Sequence, residues 1–263
     1  MPDEPTDQVA IYQITQATTA TFADLYLRLA FLFFIQTGSK RVVTPTRELI
    51  GDEGDLLIFP PAMMVTMENR PFLDQSYRAL GVSLPDDLIR QVFADNPLPD
   101  RQLDVQILRA DPHRPADLVP IIRDTLDNTS LPEVIRRHRL LEPLIWLKEQ
   151  GVHLAPSFDR SPLSRVRRLV ETDLSHSWRA GEVAEHLAMS EPTMRRWLAG
   201  SGQGFSKILL YTRLEHGLSL LQTSDVPISE IALECGFKTP SHFSDAFRKR
   251  FGIAPKQIRK AGD

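Results

Sequence analysis

The chain has 263 residues, 42% hydrophobic and 25% charged, which suits one large domain or two ordinary domains with buried cores. Its one cysteine, Cys235, excludes an internal disulfide and a cysteine-based zinc cluster, and its apolar helical surroundings predict a small buried side chain. Residues 159–263 hold 16 basic against 12 acidic residues (+4), and residues 1–158 hold 15 against 22 (−7). This asymmetry is typical of a chain with a nucleic-acid surface on one part only.

The start of the chain carries no sign of a targeting segment. Residues 1–7 are acidic and contain proline, unlike a secretory signal. The most apolar stretch, 25–35, is interrupted by Arg28 and is too short to span a bilayer. We therefore expect a cytoplasmic protein with no membrane partner.

The first part of the chain predicts strands. Short apolar or alternating runs occupy residues 29–43, 48–51, 55–59, 63–68 and 76–84, and glycine, proline and asparagine turns separate them. Several short strands at close spacing favour a small barrel or sandwich. The apolar residues within 22–34 and 63–67 are interpreted as core, and a barrel lumen that admits an apolar effector is the alternative.

Helical spacing follows over residues 86–93, 115–127 and 132–151. The last of these helices has an apolar stripe, which either packs against the barrel or forms a dimer interface: Leu140, Leu141, Leu144, Ile145 and Leu147. Beside the stripe lie three arginines, which form a solvated face or receive an anionic effector: Arg136, Arg137 and Arg139. Residues 153–162, rich in proline and serine, predict a linker.

The helical part after the linker repeats itself. Glu182-Val183-Ala184 recurs 48 positions later as Glu230-Ile231-Ala232, and Ala188-Met189 recurs as Gly236-Phe237. One inserted residue later, Met194 and Leu198 recur as Phe243 and Phe247. Each copy is a short helix, a small-plus-apolar turn and a second helix fixed by apolar residues at i and i+4. This arrangement favours two helix-turn-helix units over a helical bundle with accidental similarity, because the faces left free carry hydroxyl and basic side chains. The free face of the second copy is predicted to include Arg248, Lys249 and Arg250.

The stretch ISEIALECGFKTPSHFSDAFRKRFGIAPKQIRK closely resembles the C-terminal signature of the AraC/XylS family of bacterial transcription regulators. The resemblance extends over residues 163–259. It implies a DNA-binding domain, residues 163–263, in which a long helix holds two recognition helices apart. These would enter successive major grooves about 34 Å apart. Double-stranded operator DNA and RNA polymerase are the partners that this resemblance implies, with a homodimer favoured.

The same resemblance implies which side chains face DNA. In the first unit the base-facing positions are Pro192, Thr193, Arg195 and Arg196. In the second they are Ser241, His242, Ser244 and Asp245, with Lys238, Thr239 and Arg248 nearer the phosphate backbone. Two positions depart from the family pattern. Asp245 replaces a basic or neutral residue, and either accepts a hydrogen bond from cytosine or pairs with Lys249 or Arg248. Gly217 replaces a residue that is usually alanine, which a close packing contact would explain.

Residues 1–152 resemble the family's cupin-like regulatory domain more loosely, through the stretch GDEGDLLIFPPAMM. The expected architecture is therefore α+β, with an N-terminal cupin-like β-barrel, flanking helices and a C-terminal all-α domain. No histidine precedes His113, which speaks against a metal-binding cupin. The sequence shows neither an HExxH motif nor a phosphate-binding glycine loop, so we expect no metal, no cofactor and no enzyme.

Three functions remain after these observations. The first is a DNA-binding regulator whose N-terminal domain responds to a small molecule or a partner. The second is an interaction protein that controls another regulator by dimerisation. The third is a cupin-type small-molecule-binding protein.

Overall fold

The chain divides into two compact units, residues 1–157 and 158–263. The computed structural model describes residues 9–72, 74–94, 103–157, 161–200 and 202–259. The division falls within residues 153–162, the range for which the sequence predicts a linker.

The N-terminal unit contains nine strands and four α-helices among its described residues. The strands are β1 (Ala10–Gln16), β2 (Ala20–Leu27), β3 (Ala30–Thr37), β4 (Ser39–Val43), β5 (Glu48–Gly51), β6 (Leu56–Phe59), β7 (Met63–Arg70), β8 (Tyr77–Leu84) and β9 (Gln106–Leu108). The helices are α1 (Asp86–Phe93), α2 (Ala110–His113), α3 (Leu118–Asp127) and α4 (Glu133–Glu149), with a 3₁₀ turn at Pro115–Asp117.

The strands form two antiparallel sheets rather than a closed barrel. One sheet has the order β1-β8-β3-β6-β9 and the other has the order β2-β7-β4-β5. No strand pairing in the described part of the chain joins the two sheets. The α+β prediction is confirmed, and the prediction of a closed barrel is corrected to a sandwich of two sheets.

The five-stranded sheet is buried on both of its faces. One face packs against α1, α3 and α4, through residues such as Leu32, Ile58 and Val82. The other packs against the four-stranded sheet, through residues such as Phe33 and Phe59. A strand covered on both sides has no polar face, which explains why all four residues of β6 are apolar and buried.

The turn between β5 and β6 is fixed by one carboxylate. Asp55 is buried and accepts hydrogen bonds from the backbone N–H groups of Asp52 (2.9 Å) and Ala110 (2.8 Å). It also pairs with the Arg109 guanidinium at 2.7 Å. The GDEGD stretch therefore anchors the segment that follows β9.

All regular elements described in the C-terminal unit are helices. Its helices are α5 (Pro162–Val170), α6 (Ala180–His186), α7 (Glu191–Ala199), α8 (Phe205–Thr223), α9 (Ile228–Glu234), α10 (Pro240–Phe251) and α11 (Pro255–Ile258). The described helices of both units are too short or too polar to cross a membrane.

Candidate nucleic-acid interface

The first helix-turn-helix unit consists of α6 and α7. Val183 and Ala184 of α6 and Met194 and Leu198 of α7 are almost completely buried in one apolar cluster. Alanine at position 184 lets the two helices approach closely. The i and i+4 residues hold α7 by one face, so its opposite face is exposed.

The second unit, α9 and α10, repeats this packing. Ile231 and Ala232 of α9 are fully buried, and α10 is held by Phe243, Phe247 and Phe251. The rings of these three phenylalanines contact one another in succession, tilted and then edge-on, with centroids 5.6 Å and 4.7 Å apart. The predicted repeat of sequence is therefore also a repeat of buried contacts.

The turns of the two units match in backbone conformation and in capping. Ala188 and Gly236 both adopt left-handed backbone, with φ of 56° and 72°. The side chain of Ser190 accepts the Thr193 N–H at the start of α7, and the side chain of Thr239 accepts the His242 N–H at the start of α10. Both second helices therefore begin with the same capping contact.

On α7, Arg196 points directly away from the buried side. Successive helical residues are about 100° apart, so Arg196 lies about 180° from the midpoint between Met194 and Leu198. Pro192, Thr193 and Arg195 are exposed around it. The guanidinium of Arg195 is already paired with the carboxylate of Glu191, one turn earlier on α7, at 2.5 Å.

On α10 the exposed face carries five of the side chains singled out from the sequence: Ser241, His242, Asp245, Arg248 and Lys249. The imidazole of His242 meets the ring of Phe237 edge-on, with centroids 5.3 Å apart, which orients it at the start of the helix. Ser244 is half-buried. Lys238 and Thr239 are exposed in the turn before α10.

Arg250 corrects the predicted face. It turns inward, its side chain is only 8% exposed, and its guanidinium carbon lies 4.2 Å from the centroid of the Tyr211 ring on α8. Arg250 lies near the boundary of the buried side of α10, and the Tyr211 ring and the Glu215 carboxylate draw it toward α8. The Arg250 side chain therefore packs inside the C-terminal unit, against α8.

Asp245 stands at the centre of the exposed face of α10. Among the described residues it forms an ion pair with neither Lys249 nor Arg248, so the structure does not show the internal pairing weighed from the sequence. In the repeat register Asp245 occupies the position of Arg196. The two units thus present opposite charges at equivalent places.

The connecting helix α8 contacts α10 closely at Gly217. A Cβ at this position would lie 2.7 Å from Cε2 of Phe243 and 3.3 Å from Sγ of Cys235. The close contact that would explain glycine here is therefore present. Cys235 is fully buried, as predicted, and burial raises the pKa of its thiol to about 12, so the thiol stays protonated.

Charged groups inside the C-terminal unit hold its helices together. Arg167 of α5 is only 1% exposed and bonds to Glu215 of α8 at 2.6 Å. Arg250 of α10 approaches the same carboxylate at 3.8 Å. One carboxylate on α8 therefore contacts arginines of both α5 and α10.

Two further arginines donate to backbone carbonyl oxygens around the connecting helix α8. Arg213 donates to the carbonyl oxygens of Leu174 (2.9 Å) and His176 (2.7 Å), beside the turn at Gly236. Arg259 donates to the Ser224 and Val226 carbonyl oxygens at 2.7 Å and 2.6 Å, just past the end of α8. These contacts give the final arginine of the predicted signature a structural role.

The residues suggested for dimerisation lie mostly in the core of the N-terminal unit. Leu140, Leu141, Leu144 and Leu147 are buried against the five-stranded sheet, which is the first of the two alternatives left open for this stripe. Ile145 is half exposed on α4.

The three arginines suggested for an effector differ in their contacts. Arg136 pairs with Glu133 at 3.0 Å, and Arg137 pairs with Asp87 and so ties α4 to α1. Arg139 is exposed and forms no hydrogen bond or ion pair with the described residues. Among the described residues the three guanidinium groups share no partner.

Sequence reasoning missed several residues that shape this interface. Ser190 is not among the predicted residues, although a serine just before a helix is an established capping signal. Lys249 was noted on the free face but was left out of the predicted contacts, and it lies exposed one turn after Asp245. The sequence gives no indication that Arg213 and Arg167 form hydrogen bonds inside the unit, because their acceptors are 37 to 48 residues away in the chain.

Comparisons with known proteins agree with this geometry. Residues 183–261 match the family model described as a helix-turn-helix domain. The transcriptional regulator SirC of Salmonella typhimurium (strain SL1344) is 27% identical over 259 residues, covering 90% of this chain and 87% of SirC. The HTH-type transcriptional regulator YdeO of Shigella flexneri is 34% identical over 96 residues, covering 36% of this chain and 38% of YdeO.

Among solved structures, ToxT from Vibrio cholerae strain SCE256 has the same fold. The wild-type protein bound to an unsaturated fatty acid aligns with a TM-score of 0.64 over 98% of this chain and 96% of ToxT, at 17% identity. An apo form of ToxT with one lysine replaced by alanine aligns with a TM-score of 0.66 over 95% of each chain, also at 17% identity.

Proposed function

We propose that the C-terminal unit is an AraC-type helix-turn-helix domain and that the chain is a sequence-specific transcription regulator that reads two successive major grooves of one operator. In this proposal α7 and α10 are the recognition helices. The α8 helix, together with its contacts to α5 and α10, sets the distance between them.

One observation carries the proposal: α7 and α10 bury equivalent faces and leave equivalent faces free. A helix fixed by one side through short turns can insert its other side into a groove about 12 Å wide. The free faces carry arginine, lysine, histidine and hydroxyl side chains, which donate to phosphate oxygens and base edges.

The positions suggest a division of roles. Arg196 and His242 project from the exposed sides of α7 and α10, and we infer that they read base edges. Lys238 and Arg248 lie at the margins of the face and are assigned to phosphates. Thr239 uses its hydroxyl as an N-cap, so its contribution to DNA binding is indirect.

The test begins with selection of an operator from random double-stranded DNA by the purified full chain. Arg196→Ala and His242→Ala are then expected to weaken operator affinity by about 10- to 100-fold, since a good contact to a base edge contributes roughly 1–3 kcal/mol. Arg139→Ala is the matched control, because it removes an exposed arginine of the other unit that has no described partner.

The salt dependence separates phosphate contacts from base contacts. Lys238→Ala is expected to lower the slope of log affinity against log salt by about 1. If Arg196→Ala and His242→Ala bind the selected DNA as tightly as Arg139→Ala does, the assignment of the recognition faces is wrong. If the full chain enriches no sequence, the interaction-protein function replaces this one.

The N-terminal unit is proposed to modulate DNA binding through a small-molecule effector. Support comes from ToxT, which has this fold and has been solved with a fatty acid bound. A homodimer and contact with RNA polymerase also belong to the proposal. The half-exposed Ile145 on α4 is the one residue of the suggested dimer stripe that is available to a second copy.

A further inference from the structure

A lysine lies inside the sandwich of the N-terminal unit with only neutral partners. Lys40 of β4 is 2% exposed, and its Nζ lies 2.5 Å from Oδ1 of Asn69 and 3.8 Å from Sδ of Met67. The ring centroids of Phe33 and Tyr77 are 4.4 Å and 5.3 Å away. Among the described residues no carboxylate contacts this amine, although buried ammonium groups in proteins are normally paired with an acid.

A relay of amides fixes which atoms face the lysine. The side-chain NH₂ of Gln16 donates to the Thr18 carbonyl oxygen at 2.7 Å, and its oxygen accepts from the NH₂ of Asn69 at 2.9 Å. Because a backbone carbonyl can only accept, this chain of bonds leaves the Asn69 oxygen directed at Lys40. That oxygen satisfies one of the three N–H donors of the ammonium group.

The phenol of Tyr77 adds a further donor to the same interior. Tyr77 is completely buried, and its hydroxyl has no hydrogen-bond partner among the described residues. The Lys40 ammonium and the Tyr77 hydroxyl together give this part of the core more donors than acceptors. A buried donor without an acceptor costs about 1–3 kcal/mol, so the group that complements this surplus is an acceptor, and an anion complements it best.

We propose that Lys40 and Tyr77 bind the carboxylate of a small organic acid between the two sheets, with the apolar part of the acid against Phe33 and Met67. This inference rests on the proposed effector function of the N-terminal unit. A monoanion fits better than a phosphate because one ammonium group balances one negative charge, and an excess buried charge is costly. Met63 and Met67 line the same core, and their unbranched side chains can rearrange to admit the apolar part.

The test uses octanoate as the probe and octanol as the uncharged molecule of equal chain length, with binding to the full chain measured by calorimetry. The wild-type chain is expected to bind octanoate and to bind octanol at least tenfold more weakly. Lys40→Met is expected to weaken octanoate binding by at least about 30-fold, as when one partner of a buried charge pair is removed. Tyr77→Phe, which removes only the hydroxyl group, is expected to weaken it by about tenfold.

Arg41→Met is the matched control. Arg41 is the next residue of β4, is a basic residue like Lys40, and pairs with Glu48 at the surface rather than facing the interior of the sandwich. It is expected to leave octanoate binding unchanged. Equal binding by Lys40→Met and Arg41→Met, or equal affinity of the wild-type chain for octanoate and octanol, would overturn the site.

Proton uptake gives a second readout that does not depend on the stability of the variants. Burial lowers the pKa of Lys40 to about 7. Its four neighbouring side chains are those of Phe33, Met67, Asn69 and Tyr77, of which only Tyr77 can ionise. Burial raises the pKa of Tyr77, so its hydroxyl stays protonated. At pH 8 the amine is therefore mostly neutral in the free protein, and a bound carboxylate favours the ammonium form. Octanoate binding at pH 8 is expected to take up close to one proton, measured as the dependence of heat on buffer ionisation, and binding without proton uptake contradicts the site.

Failure of this site and failure of the proposed function are distinguishable. The operator selection is made without octanoate and reports DNA binding through α7 and α10, not occupation of the site at Lys40. If the chain selects an operator but does not bind octanoate, the proposed regulator function stands and the effector site proposed at Lys40 is wrong.

Discussion

At the scale of single residues, the most informative pair is Arg196 and Asp245. They occupy the same register position in the two copies of the repeat, and each points away from the buried face of its helix. An arginine there suits the two acceptors on the edge of guanine, whereas a carboxylate can only accept and so suits the cytosine amino group. The two half-sites of the operator are therefore expected to differ at the base that these side chains face.

Asp245→Asn tests this assignment directly. Asparagine bonds to adenine through its amide, so we expect the selected operator to change from cytosine to adenine at one position of the half-site read by α10. Overall affinity should change by less than about tenfold, since the variant also removes a negative charge near the DNA phosphates. The measurement is a repeat of the random-DNA selection, with the Arg196 half-site as the internal control. An unchanged base preference would show that Asp245 does not read a base.

Much of the candidate interface could be predicted at this scale, because exposed residues on a helix follow from its period. Arg196, His242 and Asp245 lie on the predicted faces. The direction of a long side chain near the edge of a face could not be predicted, as Arg250 shows. Its position depends on Tyr211 and Glu215 of another helix, and helical spacing carries no information about such contacts.

At the scale of elements, the contact between α8 and α10 determines how rigidly the second unit is held. Gly217 lies in the middle of α8, where glycine costs roughly 1 kcal/mol relative to alanine. The structure explains this cost by the approach of Phe243, which is fully buried and cannot move aside.

Gly217→Ala is expected to lower the free energy of unfolding by about 1–2 kcal/mol. The gain in helix propensity is roughly 1 kcal/mol, and overpacking a filled core costs typically 1–3 kcal/mol, so a net loss follows when the contact is 2.7 Å. Urea denaturation measures the change. Gly181→Ala is the matched control within α6, because the nearest atom there is the flexible carboxylate of Glu191 at 3.3 Å. A Gly217→Ala variant more stable than the Gly181→Ala variant would contradict the packing argument.

The helices could be predicted well from the sequence, and the strands less well. The range predicted for α1 agrees with the observed Asp86–Phe93, and α3 and α4 lie within the predicted ranges 115–127 and 132–151. The strands β1, β2 and β9 were missed. In β2 the register shifts between Phe22 and Leu25, which breaks the alternation of apolar and polar residues. The predicted strand 29–43 is two strands, because Gly38 takes left-handed backbone where the chain passes from one sheet to the other.

At the scale of the whole molecule, the arrangement of layers in the N-terminal unit could not be predicted from the sequence pattern. Strand-by-strand alternation shows which faces are apolar but not which sheet each strand joins. Here β3 and β4 are consecutive in the chain but belong to different sheets, and β1 pairs with β8 across 60 or more residues. Closure into a barrel and packing as two sheets give the same pattern of buried positions, so only the pairing distinguishes them.

The final prediction concerns the spacing of the two half-sites on DNA. The α8 helix has 19 residues, which at 1.5 Å per residue is about 28 Å, and its buried contacts with α5 and α10 hold it firmly. Inserting 5 base pairs between the half-sites is therefore expected to reduce affinity to that of one half-site. Inserting 10 base pairs, which restores the face of the helix but adds about 34 Å, should not rescue it. Fluorescence anisotropy with the three DNA duplexes measures this, and an operator with one half-site scrambled supplies the reference affinity. Recovery at 10 base pairs would mean that the two half-sites are bound by two flexibly linked chains rather than by α7 and α10 of one chain.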